Sequence, residues 1–172
     1  MPIRLTWTTL PPDLRRASPR EQAAFWLASG LGTGLCPASG TCGALLAWMA
    51  HQFLFPQAFT PEQGMIALLL LIACIIVGTW AADVAEKLTG VKDDSRITVD
   101  EVVGYFVAVM YLPSGWRYTL PAFVLCRLLD ILKPPPARQL QDLHGGVGIM
   151  VDDLISSLYA CLLMHAALWF LG

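Results

Sequence analysis

The sequence predicts an all-α protein: a small integral-membrane helical bundle with one interfacial helix and polar loops on the cytoplasmic side. Three observations lead there. Of 172 residues, 56% are hydrophobic and 14% charged, against roughly 25% charged in soluble domains. From Gln22 to Ala82 a single charge appears, Glu62. Beyond that void the acids arrive in tight groups at the ends of apolar runs: Asp93, Asp94, Asp100 and Glu101, then Asp130, then Asp152 and Asp153. In an apolar chain such acids need neutralising, by cations, protons or a phosphate-bearing ligand.

The formal net charge of −2 offers no basic surface for nucleic acid. Cys36, Cys42, Cys74, Cys126 and Cys161 form no C-x-x-C pair, which argues against a disulfide framework and against zinc. No cleaved signal peptide is expected, because the N-terminus is polar and lacks an early apolar core.

Residues 1–20 read as a loose arm with Pro11, Pro12 and Pro19, and residues 21–172 as one membrane-embedded domain. Ser18-Pro19-Arg20-Glu21 is a helix start, with Ser18 as N-cap and Glu21 three residues on. The helix that follows, about residues 20–30, carries Phe25 and Trp26 and suits the interface. A glycine-rich segment (Gly30 to Gly43) leads into an apolar helix ending near Phe55, and Pro56 to Pro61 forms a turn. Gly64–Ala82 is the clearest span: about 19 residues at 1.5 Å cover about 28 Å, close to a hydrocarbon core of about 30 Å. Val102–Leu112 and Tyr118–Leu132 are short, joined at Pro113-Ser114-Gly115, and fit a tilted hairpin, a re-entrant pair or burial within the bundle. Leu154–Leu171 is the last span, with Asp152 and Asp153 at its start. Arg4, Arg15, Arg16 and Arg20 contrast with a 56–63 turn lacking Lys and Arg, which places the N-terminus in the cytoplasm. If Val102–Leu132 returns to its starting side, the acid-rich loops share that side.

Four segments carry the chemistry. In Lys92–Gly104, Asp100 and Glu101 open an apolar helix. One acid satisfies a helix dipole; two more upstream exceed that need and point to hard-cation ligation. In Arg127–Pro134, Arg127 and Asp130 either pair at i, i+3 or divide their roles, Asp130 holding metal while Arg127 and Lys133 take phosphate oxygens. In His144–Asp153, Gly145 and Gly146 let backbone N–H groups approach an anion. His144 could exchange a proton near neutral pH, and either Asp152 or Asp153 could be an N-cap. Gly40-Thr41-Cys42-Gly43 opens a helix whose first N–H groups face an anion. His51 and His165 lie within apolar runs and read as structural. The cysteine-phosphatase loop and the D-x-D-x-T aspartyl-phosphate motif are both missing.

Taken together, K-D-D-S-R-I-T-V-D-E-V-V-G (92–104), R-L-L-D-I-L-K-P (127–134), G-G-V-G-I-M-V-D-D (145–153) and G-T-C-G (40–43) resemble the phosphatidylglycerophosphatase A family over roughly residues 30–165. The chain departs at Ser39 (usually Pro), Ala44 (usually Ser), Pro135 within the K-P-W-P element, and Ser156-Ser157 (usually Ala-Gly). The resemblance implies a Mg²⁺-dependent phosphatase of glycerophospholipid biosynthesis. It would convert phosphatidylglycerophosphate to phosphatidylglycerol, in a bacterial-type inner membrane, as a multi-pass protein with its active site facing the cytoplasm. On this reading Asp100, Glu101, Asp130, Asp152 and Asp153 hold the metal. Asp100, Glu101, Asp130, Asp153 and Lys133 carry catalysis. Thr41, Arg127, Lys133, His144, Gly145 and Gly146 bind substrate, with Asp93 as an outer-shell partner. A small cation or proton transporter using the same carboxylates is the alternative, although it calls for acids within the spans. Few spans leave little buried interior, which favours a homo-oligomer.

Overall fold

The computed structural model describes residues 8–141 and 143–171. Arg4 and the rest of residues 1–7 lie outside that range. All described secondary structure is helical: α1 (Pro19–Ala28), α2 (Ser39–Leu54), α3 (Gly64–Thr89), α4 (Val99–Ala108), α5 (Trp116–Leu132), the single turn α6 (Ala137–Leu140) and α7 (Gly145–Leu171), with short 3-10 turns between.

The expected start of α1 is present in full. The Ser18 side chain accepts from Glu21 N–H, and the Glu21 carboxylate accepts from Ser18 N–H. Its apolar face, Phe25 and Ala28, packs against Ala81, Ala82 and Ala85 near the C-terminal end of α3, while Trp26 and Leu27 stay exposed. This position beside one end of the long helix fits an interfacial helix. The arm before it, expected to be loose, is tied down where it is described. Thr8 Oγ1 donates to the Gly34 carbonyl (3.1 Å) and Arg96 Nη1 to the Thr9 carbonyl (3.1 Å).

Two helices, α3 and α7, are long and apolar enough to cross a membrane. With 26 and 27 residues they measure about 39 and 40 Å, about 10 Å more than a hydrocarbon core of about 30 Å. Helix α3 runs past the expected end at Ala82. Asp83 and Lys87 form an i, i+4 pair past that point (2.6 Å), and Gly90 in the left-handed region terminates the helix. Helix α7 begins nine residues before the expected Leu154, so Asp152 and Asp153 sit two turns inside it rather than capping it. The two helices meet there, because a Cβ on Gly145 would stand 2.7 Å from Asp83 Oδ1.

The short helices resolve into a hairpin. Helix α4 is nearly all buried and packs on α2, α3, α5 and α7, and α5 returns beside it. Arg127 near the end of α5 reaches Glu101 at the start of α4, so the hairpin comes back to its own side. Below this end, Tyr105, Phe106, Val107, Val109 and Met110 fill the core with Phe59, Leu71 and Met150. His51 and His165 are structural as expected: His51 Nδ1 shares a hydrogen bond with Tyr105 Oη (2.9 Å) and His165 Nδ1 faces the Cys161 carbonyl. All five cysteines are free.

Candidate active site

A cavity of 440 Å³ opens at the end of the bundle where these elements converge. Its wall takes Ser39, Gly40 and Thr41 from the start of α2, and Asp93, Asp94 and Ser95 from the loop before α4. Asp100 and Glu101 come from the first turn of α4, and Arg127, Asp130 and Lys133 from the end of α5. Arg138, Gln141, Asp152 and Asp153 complete it. Seven carboxylates thus share one space with three basic side chains.

Five of these carboxylates divide into two sets. Asp100, Glu101 and Asp153 each bring one oxygen within 4.8 Å of the others. Asp130 and Asp152 have basic partners. Arg127 Nη1 lies 2.8 Å from Asp130 Oδ2 and 4.0 Å from Glu101 Oε1, so the i, i+3 pairing is real. Lys133 forms an ion pair with Asp152 and stands 3.9 Å from both Asp130 and Asp153. Gln141 Nε2 donates to Asp152 as well (3.1 Å). Asp100 Oδ1, Glu101 Oε2 and Asp152 Oδ1 are buried with no hydrogen-bond partner among the described residues. Three carboxylates this close cannot all ionise without a cation between them. Hard oxygen donors with orphaned buried atoms fit Mg²⁺.

Burial alone lowers the Lys133 ammonium, but Asp153, Asp152 and Asp130 outweigh it and hold the group above the ordinary lysine range. Lys133 therefore stays charged and serves as a fixed cation. In the loop before α4, burial raises Asp94, yet the hydrogen bonds from Arg96 outweigh it and hold that carboxyl below the ordinary range. Arg96 grips Asp94 with Nε (3.0 Å) and Nη2 (2.5 Å), which braces the loop against the N-terminal arm.

Close backbone approach explains two glycines of the α2 segment. A Cβ on Gly34 would run into the Arg96 carbonyl, and one on Gly40 into the Glu101 carboxylate and the Arg127 guanidinium (2.8 Å to Nη2). Ser39, one of the departures from the family pattern, donates to the Ser95 carbonyl at 2.6 Å and clasps two walls of the cavity. Thr41 lies on the wall as expected. Gly145, Gly146 and His144 do not. A Cβ on Gly146 would collide with the Thr79 carbonyl, so the pair lets α7 lie close against α3, and His144 is exposed beyond it. Asp93 reaches the wall without joining the carboxylate triad. Arg138 and Gln141 were not foreseen; the available signal was a basic residue two positions after a triproline.

Residues 26–168 match the sequence profile described as Phosphatidylglycerophosphatase A. Among curated relatives, a Bacteroides thetaiotaomicron protein named provisionally as a phosphatidylinositol-3-phosphatase is 39% identical, over 85% of this chain and 94% of its own. A phosphatidylglycerophosphatase A of Escherichia coli K12 is 35% identical, over 85% of this chain and 81% of its own. One of Haemophilus influenzae is 36% identical, over 81% and 85%. No solved structure matches the chain.

Proposed function

The chain belongs to the phosphatidylglycerophosphatase A family, and from that premise we propose that it hydrolyses phosphatidylglycerophosphate to phosphatidylglycerol and inorganic phosphate. The observation that carries the reading is the convergence of Asp100, Glu101 and Asp153 beside Arg127 and Lys133, in one cavity at the end of two apolar helices. A lipid held by its acyl chains presents its phosphate at that level.

Asp100, Glu101 and Asp153 would hold Mg²⁺, with Asp152 and Asp130 behind them. When bound, the metal supplies charge neutralisation at the phosphoryl group and acidifies water. Arg127 and Lys133 orient the phosphomonoester by charge-assisted hydrogen bonds and meet the charge that shifts onto its oxygens as the P–O bond breaks. Asp130 pairs with the Arg127 guanidinium as a counter-charge, and Asp152, itself bonded by Gln141, holds Lys133. Because its neighbours hold Lys133 protonated, it is a clamp and not the acid for the leaving oxygen. Thr41 and the first N–H groups of α2 face the same space.

The site faces the cytoplasm in this reading, on the side of Arg15, Arg16 and Arg20. The transporter alternative lacks support: the described buried carboxylates, Asp94, Asp100, Asp130, Asp152 and Asp153, all gather at this cavity, and none lines a path through the bundle.

The test is phosphate release from phosphatidylglycerophosphate in detergent micelles, with Mg²⁺ and with EDTA, and phosphatidylinositol 3-phosphate as the competing substrate. Metal-dependent release from the first lipid supports the reading. Release from the phosphoinositide alone transfers the activity to the chemistry named for the Bacteroides relative, and no release from either ends the proposal.

A further inference from the structure

Arg138 has no part in the mechanism above, yet it lies in the cavity wall. Its setting differs from that of the other two basic residues. Arg127 and Lys133 are engaged by carboxylates beside the triad. Arg138 is exposed, and among the described residues it forms no ion pair. Its backbone is nevertheless held in place. Tyr159 Oη donates to the Pro135 carbonyl (3.0 Å), Ala137 is fully buried, and Gln141 is bonded to Asp152. Burial therefore rises from Arg138 at the rim to Asp100 and Asp153 at the floor, which are 7% and 4% exposed. Ile131 and Leu132 in the same wall are 58% and 72% exposed, an apolar lip beside a charged interior.

This order repeats the order of groups along the lipid. The terminal phosphomonoester comes first, then a glycerol, then the bridging phosphodiester, then the acyl chains. With the monoester at Arg127 and Lys133, the diester comes to the rim. A guanidinium is suited to it, being permanently charged and forked to fit two phosphate oxygens. We propose that Arg138 is a second anion subsite that binds the phosphodiester, so that the enzyme selects lipids carrying both a diester and a terminal monoester. The inference rests on the function proposed above and adds the group that reads the headgroup.

The experiment compares wild type, Arg138→Gln and Arg138→Lys as full-length protein in mixed micelles with Mg²⁺. The substrates are phosphatidylglycerophosphate and phosphatidic acid of the same acyl chains, the latter a monoester without the diester. Losing one charge-assisted contact corresponds to a change of about 10- to 100-fold. The ratio of kcat/KM for phosphatidylglycerophosphate over phosphatidic acid should fall by that factor in Arg138→Gln, through KM rather than kcat, with partial recovery in Arg138→Lys. Phosphatidylglycerol keeps the diester and lacks the monoester, so its inhibition of the wild type should weaken by a similar factor in Arg138→Gln. Equal losses on both substrates, or unchanged inhibition by phosphatidylglycerol, overturn the subsite. A wild type that releases no phosphate from phosphatidylglycerophosphate overturns the function itself, a result distinct from an active enzyme whose substrate ratio does not move.

Discussion

Asp153→Asn should inactivate the protein and, without metal, make it more stable. Asp153 shares a cluster with Asp100 and Glu101 whose oxygens lie within 4.8 Å of one another. At that separation and an effective dielectric of about 20, each ionised pair repels by about 3.5 kcal/mol. Proton uptake by one member relieves part of this, and the substitution also loses a 3.9 Å contact with Lys133, so a net gain of about 1–3 kcal/mol is expected. For a chain of this size that raises the apparent Tm in detergent with EDTA by roughly 2–12 °C. The response to Mg²⁺ moves the other way. Metal at 100 times its Kd stabilises the wild type by about 2.7 kcal/mol, roughly 5–11 °C, and most of that shift should vanish in the variant. Phosphate release should fall by about 10³-fold or more, since the metal contributes several kcal/mol of charge stabilisation. Thermal unfolding with and without Mg²⁺, run beside the phosphate assay, reads all three quantities. If Asp153→Asn is less stable than wild type in EDTA and responds fully to Mg²⁺, the carboxylate is structural and the metal reasoning is refuted.

Arg127→Met removes the nearer cation of Asp130, leaving it Lys133 at 3.9 Å, and the cation beside Glu101, a loss of about 3–5 kcal/mol and roughly 6–20 °C in apparent Tm; adding Asp130→Asn should restore most of the stability and none of the activity. The Asp94–Arg96 brace adds an acid limb to stability. Because the folded Asp94 carboxyl lies below its unfolded value of about 3.9, the contribution is fully present above that pH and is lost as pH falls through the folded value. Asp94→Asn should therefore flatten the apparent Tm profile below about pH 4, and a profile parallel to wild type refutes the brace. Gly104→Ala should push α4 and α7 apart and weaken Mg²⁺ binding, measured by the metal-induced Tm shift. Ser157→Ala in the same chain makes room for the new methyl and should recover part of that binding.

The sequence was most legible where a local rule decides the structure. The Ser18–Glu21 cap is a reciprocal hydrogen bond between near neighbours, and it stands as expected. Charge does not by itself end a helix here: α3 continues through Asp83 and Lys87. Asp83 and Lys87 look like loop residues after an apolar run, but on a long helix they are an i, i+4 pair, and Gly90 stops the helix. The glycines at 145 and 146 lie outside the cavity wall for a related reason. Gly is a poor helix former, so the segment reads as a cradle for an anion. Packing overrides propensity there, because α7 can approach the Thr79 carbonyl only without a Cβ at 146. That the acids converge was legible from their grouping. Which of them face one another was not, because that depends on the rotation of α4, α5 and α7 about their own axes.

The spacing of two helices sets that convergence. Gly104 lies one turn beyond Asp100, and Ser157 one turn beyond Asp153. A Cβ on Gly104 would stand 2.6 Å from Ser157 Oγ, so α4 and α7 approach one another closely one turn below the triad. Ser157 Oγ also shares a hydrogen bond with Cys126 Sγ (3.2 Å), which ties α5 to the same level. Helix α4 packs against four others, α2, α3, α5 and α7. Below the triad, Tyr105 and Phe106 of α4 lie in the buried apolar cluster that the helices share. This packing holds the three carboxyl groups within 4.8 Å of one another, close enough that a shared cation or a proton must offset their charge.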